Sequence, residues 1–418
     1  MRKSTLEPAV PSRRLLLGAG LASLGLPLSG CANLSRLQAV PELDQRRSVI
    51  PGFDAIRYVL GFDEDLRAMA RELSRSWQRE REASHGGDEL IDILALSGGG
   101  DDGAFGAGLL NGWTLAGNRP TFKLVTGVST GALIAPFAFL GPAYDERLRE
   151  FYTKSRPEDI LKLRGIIDVV FGDAVADSAP LQARIQANVD QALLDAVAQE
   201  YRRGRLLWVA TTNLDSRRTV VWDLTRIAAT PHPEALPLFR SLMLASASIP
   251  GAFPPVMIDV QVEGRRYQEM HVDGGTTSQV FVYPLSLNLA SLRREHGRRA
   301  AQQLYVIRNS RIDPDVTEVE RNSVSIAGRA MSTLIRAQGL GDLYRIYLQA
   351  QRDGLGFYLA TIPGEFMFPK KVEFDTAYMA SLFQLGFEQA RGGYRWQRVP
   401  PFYEPGYRYG PSDSPSSQ

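Results

Sequence analysis

Two stretches decide the fold: Ile91-Asp92-Ile93-Leu94-Ala95-Leu96-Ser97-Gly98-Gly99-Gly100-Asp101-Asp102-Gly103 and Phe122-Lys123-Leu124-Val125-Thr126-Gly127-Val128-Ser129-Thr130-Gly131. Each is a short apolar run that breaks into a glycine-bearing turn and then into an Ala/Gly/Leu-rich helical segment, 103–115 after the first and 132–140 after the second. Apolar runs of this length bounded by turn signals read as strands buried on both faces. Further strand-like runs occupy 206–212, 219–224, 256–262, 267–272 and 304–308. Helical patterns fill 181–201 and 236–247 between them and return at 319–352 and 376–390. Alternation of this kind predicts an α/β domain with a mostly parallel central sheet covered by helices on both faces.

Outward from that core the chain is ordinary. Of 418 residues 44% are hydrophobic and 22% charged, which excludes collagen-like and wholly disordered classes. The formal net charge is +2, and Arg2, Lys3, Arg13 and Arg14 against Glu7 account for that excess, so a strongly basic nucleic-acid binder is excluded. One cysteine rules out an intramolecular disulfide and a cysteine-based zinc site.

That cysteine has a telling position. Residues 15–30 carry no charge, follow Arg13 and Arg14, and are too few for the roughly 20-residue helix that crosses a bilayer. Such a segment reads as a signal peptide, 1–30. It ends in Leu28-Ser29-Gly30-Cys31, which resembles the lipobox of bacterial lipoproteins, with Cys31 the lipidated residue. The expectation is a chain anchored in the bacterial cell envelope, its membrane partner reached through Cys31. Ala32 after the cysteine matches outer-membrane sorting in enterobacterial lipoproteins. Ser12-Arg13-Arg14-Leu15-Leu16-Leu17 also resembles a twin-arginine signal without its usual Phe and Lys, which leaves the export route open. Residues 31–88 form a tether and an amphipathic helix over 62–83, where Leu66, Met69, Ala70, Leu73 and Trp77 recur at helical spacing; docking on the main domain is preferred to lying on a membrane surface. That domain spans 89–395, and the Pro-, Gly- and Ser-rich tail 404–418 reads as disordered.

Three motifs carry chemistry. Gly127-Val128-Ser129-Thr130-Gly131 sits between a strand and a helix, where a nucleophile elbow presents its serine. In Ser97-Gly98-Gly99-Gly100-Asp101-Asp102-Gly103, successive backbone N–H groups can converge on an anion, as in an oxyanion hole. Gly98, Gly100 and Gly103 also satisfy a dinucleotide-binding pattern, but Thr121, Phe122 and Lys123 stand where its acidic residue is needed. Close helix–strand packing is the third reading of those glycines. Asp273-Gly274-Gly275 is by itself a hairpin-turn signal. Beside an elbow serine in need of a base, it reads as a catalytic carboxylate.

The base follows from counting histidines. His85 lies in a boundary loop over 84–88, His232 between two prolines, and His296 among arginines. His271 alone lies near a motif, on the same face of its strand as Asp273. A Ser129–Asp273 dyad is therefore preferred to a histidine triad.

The Gly-Gly-Gly loop, the Gly-Val-Ser-Thr-Gly elbow and Asp-Gly-Gly, in that order, resemble the patatin-like phospholipase family. The resemblance continues through 210–214 and 245–255 and covers about residues 91–290. It implies a three-layer α/β sandwich, hydrolysis of lipid acyl esters, and neither metal nor cofactor. It assigns Ser129 as nucleophile, Asp273 as base and the N–H groups of Gly98, Gly99, Gly100 and Asp101 as the oxyanion hole. Gly103, Gly127, Gly131, Gly274 and Gly275 complete the motifs. The alternatives are a thioesterase or general esterase with the same site, and a non-catalytic lipid-binding lipoprotein. One departure stands out: the family usually carries Arg or Lys where Asp102 stands, which reverses a charge near any anionic headgroup.

Overall fold

The computed structural model describes residues 35–83, 90–165, 172–298, 300–313, 316 and 318–403. The signal segment 1–30, Cys31, the 84–88 boundary with His85, and the tail 404–418 lie outside the described residues.

Among the described residues the elements run β1 (Arg57–Val59), α1 (Asp63–Ala83), β2 (Ile91–Leu96), α2 (Gly103–Leu115), β3 (Leu124–Val128), α3 (Thr130–Leu140) and α4 (Asp145–Thr153). Two short strands, β4 (Lys162–Leu163) and β5 (Ala176–Asp177), precede α5 (Ala179–Asn188) and α6 (Gln191–Arg202). Next come β6 (Leu206–Asn213), β7 (Arg218–Asp223), α7 (Leu224–Ala229), α8 (Ala235–Ser246), β8 (Val256–Val262) and β9 (Arg265–Asp273). The chain continues through α9 (Leu289–Glu295), β10 (Gln302–Arg311), α10 (Ser323–Asp353), β11 (Gly356–Ile362) and α11 (Thr376–Arg391).

The main sheet has the order β1-β7-β6-β3-β2-β10-β11, with β9 on β6 and β8 on β9. The run β6-β3-β2-β10-β11 is parallel, and β1, β7, β8 and β9 add antiparallel pairs. Strands β2, β3 and β6 are buried along their whole length, as their unbroken apolar runs require. One face carries the larger core, with Phe105 and Leu109 of α2, Phe137 of α3 and Leu382 of α11. The other carries Met69, Leu73 and Trp77 of α1 and Leu343 and Ile346 of α10. The α/β sandwich expected from the sequence is present.

Several expectations need refinement. The single helix expected over 181–201 is two. The first ends at Asn188, and Asp190 caps the second, its carboxylate accepting the Leu193 N–H at 2.9 Å. Strands β1 and β11 went unassigned in the sequence, and β1 joins the sheet edge by pairing with β7. Helix α1 docks on the sheet and buries Glu72 and Glu80 along with its apolar stripe. Arg79 meets Glu72 at 2.7 Å, and Arg298 and Lys123 meet Glu80 at 2.6 and 2.7 Å.

Helices α2 and α11 approach closely because glycines line the contact. A Cβ on Gly108 would fall 2.0 Å from the Phe383 carbonyl oxygen, and one on Gly112 would fall 2.1 Å from that of Phe387. Gly108→Ala should therefore cost about 1–3 kcal/mol by overpacking. Gly328→Ala, on an exposed turn of α10 with nothing within 4 Å, should instead gain about 0.5–1 kcal/mol. Chemical denaturation of the two variants checks the opposite signs.

Candidate active site

The site begins with how β6 shares one edge between two partners. Parallel β3 pairs along it until Val128 meets Ala210. Antiparallel β9 takes over at the next residue, where Asp273 meets Thr211. Ser129 must leave the sheet at the position Asp273 enters, so the two strand ends abut. Ser129 turns with φ 55° and ψ −126°, a strained conformation for a side-chain-bearing residue and the geometry of an elbow. The turn is packed tightly. A Cβ on Gly127 would lie 2.5 Å from the Gly131 carbonyl oxygen, and one on Gly131 would lie 2.4 Å from that of Leu96.

Residues 246–248, at the C-terminal end of α8, brace both strand ends. The Ser129 N–H donates to Ser246 Oγ at 3.0 Å, and that hydroxyl donates to the Ala210 carbonyl at 2.7 Å. The Asp273 N–H donates to the Ser248 carbonyl at 2.8 Å. Ser246 is a positioning residue that the sequence reading quoted within 245–255 without assigning it a role.

Asp273 does not head a hairpin; the β8–β9 hairpin turns at Glu263 and Gly264, both at positive φ. It caps the short turn Gly274–Thr276, its Oδ1 accepting the Gly275 N–H at 2.7 Å. Gly274 is pressed against Ala210, where a Cβ would lie 2.4 Å from the carbonyl oxygen. Oδ2 is buried and makes no formed hydrogen bond to a described residue. Burial pushes the Asp273 carboxyl up to about 7, and the nearby Ser129 hydroxyl and the Gly275 amide pull it only partly back.

The glycine loop is held from β10. Asn309, fully buried, receives the loop on three bonds: its N–H to Ser97 Oγ at 2.8 Å, its Nδ2 to the Ser97 carbonyl at 2.9 Å, and its Oδ1 from the Gly106 N–H at 3.1 Å. A Cβ on Gly99 would collide with the Asn309 carbonyl oxygen at 1.8 Å. No motif pointed to Asn309; its place at the C-terminal end of a parallel strand was the one available signal. The loop requires a correction to the expected oxyanion donors. The Gly98 N–H is committed to the Gln279 carbonyl at 2.9 Å, so Gly98 has no donor to offer. The N–H groups of Gly99, Gly100 and Asp101 have no acceptor among the described residues. Gly103 opens α2 where a Cβ would strike Thr130 Oγ1 at 2.1 Å, so the N-termini of α2 and α3 converge beside Ser129.

The two loop aspartates are bound by the C-terminal part of the chain. The Asp101 carboxylate takes Lys370 Nζ at 2.9 Å and the Phe374 N–H at 3.0 Å. Asp102 accepts the Tyr378 hydroxyl of α11 at 2.6 Å. Burial, then the neighbouring Asp101 charge, pushes the Asp102 carboxyl up to about 7. The charge reversal noted in the sequence is thus tempered by the Tyr378 hydroxyl and by burial. His271 is fully buried, with Nδ1 on Thr211 Oγ1 at 2.8 Å and Nε2 on Glu269 Oε2 at 3.1 Å. His232 packs on Phe53 and His296 on Trp77, so no described histidine bonds Ser129.

Beside Ser129 an apolar pocket lies between Leu133, Phe151, Ile160, Leu181, Phe253 and Met379. Its lining suits an acyl chain.

Residues 94–286 match the family model for patatin-like phospholipase. A search of curated proteins finds no match. Among solved structures, VipD from Legionella pneumophila is similar at 10% identity with a TM-score of 0.36, over 73% of this chain and 67% of that one.

The buried carboxyl of Asp273 has a stability consequence. Its folded-state pKa of about 7 lies above the unfolded value of ~3.9, so the native state holds the proton more tightly. Its contribution is most favourable below pH ~4 and is lost as pH rises towards 7. Asp273→Asn should therefore be more stable than wild type at pH 8, by on the order of 2–4 kcal/mol, and the gain should shrink towards zero near pH 4. Urea denaturation across that range measures it.

Proposed function

Residues 94–286 belong to the patatin-like phospholipase family, whose members are lipid acyl hydrolases, and from that premise we propose that Ser129 and Asp273 perform ester cleavage as a two-residue machine. The observation that carries the reading is the meeting of the β3 and β9 ends on β6. It sets an elbow serine against a buried carboxyl with one oxygen unbonded.

In this mechanism Ser129 Oγ attacks the acyl carbonyl carbon and its proton passes to Asp273 Oδ2. The carbonyl oxygen becomes an oxyanion facing the N–H groups of Gly99, Gly100 and Asp101, with the N-termini of α2 and α3 adding positive potential. Collapse breaks the ester bond, and the leaving alcohol takes the proton from Asp273. Water then attacks the acyl-enzyme with Asp273 again accepting a proton, and release of the fatty acid restores Ser129. The pocket lined by Leu133 and Phe151 holds the acyl chain throughout.

Asp273 must be ionised to act, so kcat/KM should fall about tenfold per unit below pH ~7, where burial has placed its carboxyl. Ser129→Ala and Asp273→Asn should each lose on the order of 10⁴–10⁶ in rate, and the double variant should lose no more than either alone. His271→Ala should lose less than about tenfold at a temperature where it stays folded, against the ~10²–10⁴ expected of a general base. A dead His271→Ala beside an active, folded Asp273→Asn would replace the dyad with a histidine mechanism. A fluorophosphonate probe should label Ser129 in the wild-type protein and nothing in Ser129→Ala.

The envelope reading is a separate part of the proposal and is supported by the Leu28-Ser29-Gly30-Cys31 pattern after an uncharged segment. Cys31→Ser should abolish palmitate incorporation and signal-peptide cleavage in a bacterial host. An unmodified Cys31 on a chain that retains residues 1–30 would sink it.

A further inference from the structure

The mechanism leaves a buried cation unused. Arg308, at the C-terminal end of β10, is 4% exposed and makes no ion pair among the described residues. Its Nε donates to Ser310 Oγ at 2.8 Å, but Nη1 is buried without an acceptor. A second cation acts on it. Arg336 of α10 donates through Nη2 to the Ile312 carbonyl and keeps a buried Nε without an acceptor. The two guanidiniums repel, and burial together with Arg336 lowers the Arg308 pKa to about 10. Asp342 opposes this by its charge but bonds other groups: Oδ2 accepts the Gln279 N–H at 2.7 Å, and Oδ1 takes Arg345.

Unsatisfied guanidinium donors are costly to bury, and a pair of them is matched by an anion that accepts several hydrogen bonds at once. The position relative to Ser129 identifies which anion. A Cβ on Gly339 of α10 would lie 3.3 Å from Gln279 Cβ and 3.7 Å from Arg308 Nη2. The Gln279 Oε1 atom reaches within 2.7 Å of the Cβ position of Gly98, which is itself 3.1 Å from Ser129 Cβ. Arg308 thus stands one side chain, Gln279, away from the nucleophile. Register agrees: Ile307 pairs with Leu96, so Arg308 emerges level with the start of the glycine loop, at the strand ends where α/β sheets bind ligands. Helix α10 is turned to suit. Its apolar residues Ile326, Met331 and Leu334 face solvent, whereas Arg336 is half-buried against the sheet end.

We propose that Arg308 and Arg336 receive the phosphate of a phospholipid substrate and are specificity-determining residues of this site. They would supply from β10 and α10 the positive charge that Asp102 removes from the glycine loop. In a glycerophospholipid only the glycerol backbone separates the phosphate from the ester carbonyls, a span that suits cations just past Gln279. The Gln279 side-chain amide makes no hydrogen bond to a described residue and is the group that turns aside to admit the phosphate. The inference rests on the acyl hydrolase reading.

The test compares kcat/KM for monomeric dihexanoyl phosphatidylglycerol and for neutral 4-nitrophenyl butyrate in the full chain. Arg308→Gln and Arg336→Gln should each lose about 10–100-fold on the phospholipid and less than threefold on the neutral ester. Equal losses on both substrates, or no loss on the phospholipid, overturn the proposal. Arg308→Lys should keep the fold and recover part of the phospholipid rate, which separates a charge effect from misfolding. If the wild type cleaves neither ester, the hydrolase reading fails, and calorimetric binding decides the phosphate site alone. Binding of dihexanoyl phosphatidylglycerol to Ser129→Ala that is lost on adding Arg308→Gln upholds the site, and absence of binding overturns it. Glycerol 3-phosphate binding as tightly as the lipid would overturn the lipid assignment in favour of a soluble phosphate ester.

Discussion

One edge of β6 governs this protein. A strand edge offers one row of hydrogen-bonding groups, and two strands running in opposite directions divide it, β3 up to Ala210 and β9 from Thr211. Neither can extend without displacing the other, so both chains must turn away at the same point. The turn of β3 costs Ser129 an unfavourable backbone conformation, on the order of 1–3 kcal/mol, which only a surrounding rigid sheet can sustain. The turn of β9 buries a carboxyl where its charged form is poorly solvated. In the proposed mechanism strain and desolvation, both liabilities for stability, ready the nucleophile and raise the basicity of its partner.

The rest of the site is built by groups that prevent this junction from relaxing. Ser246 and the Ser248 carbonyl hold the backbones of Ser129 and Asp273 from one side. From the other, Asn309 fixes the glycine loop, and Lys370, the Phe374 N–H and Tyr378 fix its two aspartates. Those anchors are distant in sequence from every motif. The loop amides at Gly99 and Gly100 have no acceptor among the described residues.

Legibility divides along physical lines. The strand runs 91–96 and 206–212 could be read because a strand buried on both faces must be apolar throughout. The split of 181–201 was missed because Asp190 caps a helix without interrupting its apolar spacing. Gly98 was read as an oxyanion donor because its neighbours in sequence suggested it. Its amide is committed to Gln279, a partner that only the folded chain brings near. Asp102 was read as a charge reversal, and the hydroxyl partner that tempers it lies on α11.

The sequence by itself determined the layered α/β class, the order of the three motifs and the identity of the elbow serine, because strand burial, turn chemistry and helix spacing are local properties written in neighbouring residues. The tertiary structure decided which loop amides stay free, how Asp273 meets Ser129, and where charge collects beyond Gln279. Those outcomes depend on strand register and on contacts between segments far apart in the chain, such as Asn309 with Ser97 and Asp101 with Lys370, and no local pattern encodes a distance of that kind.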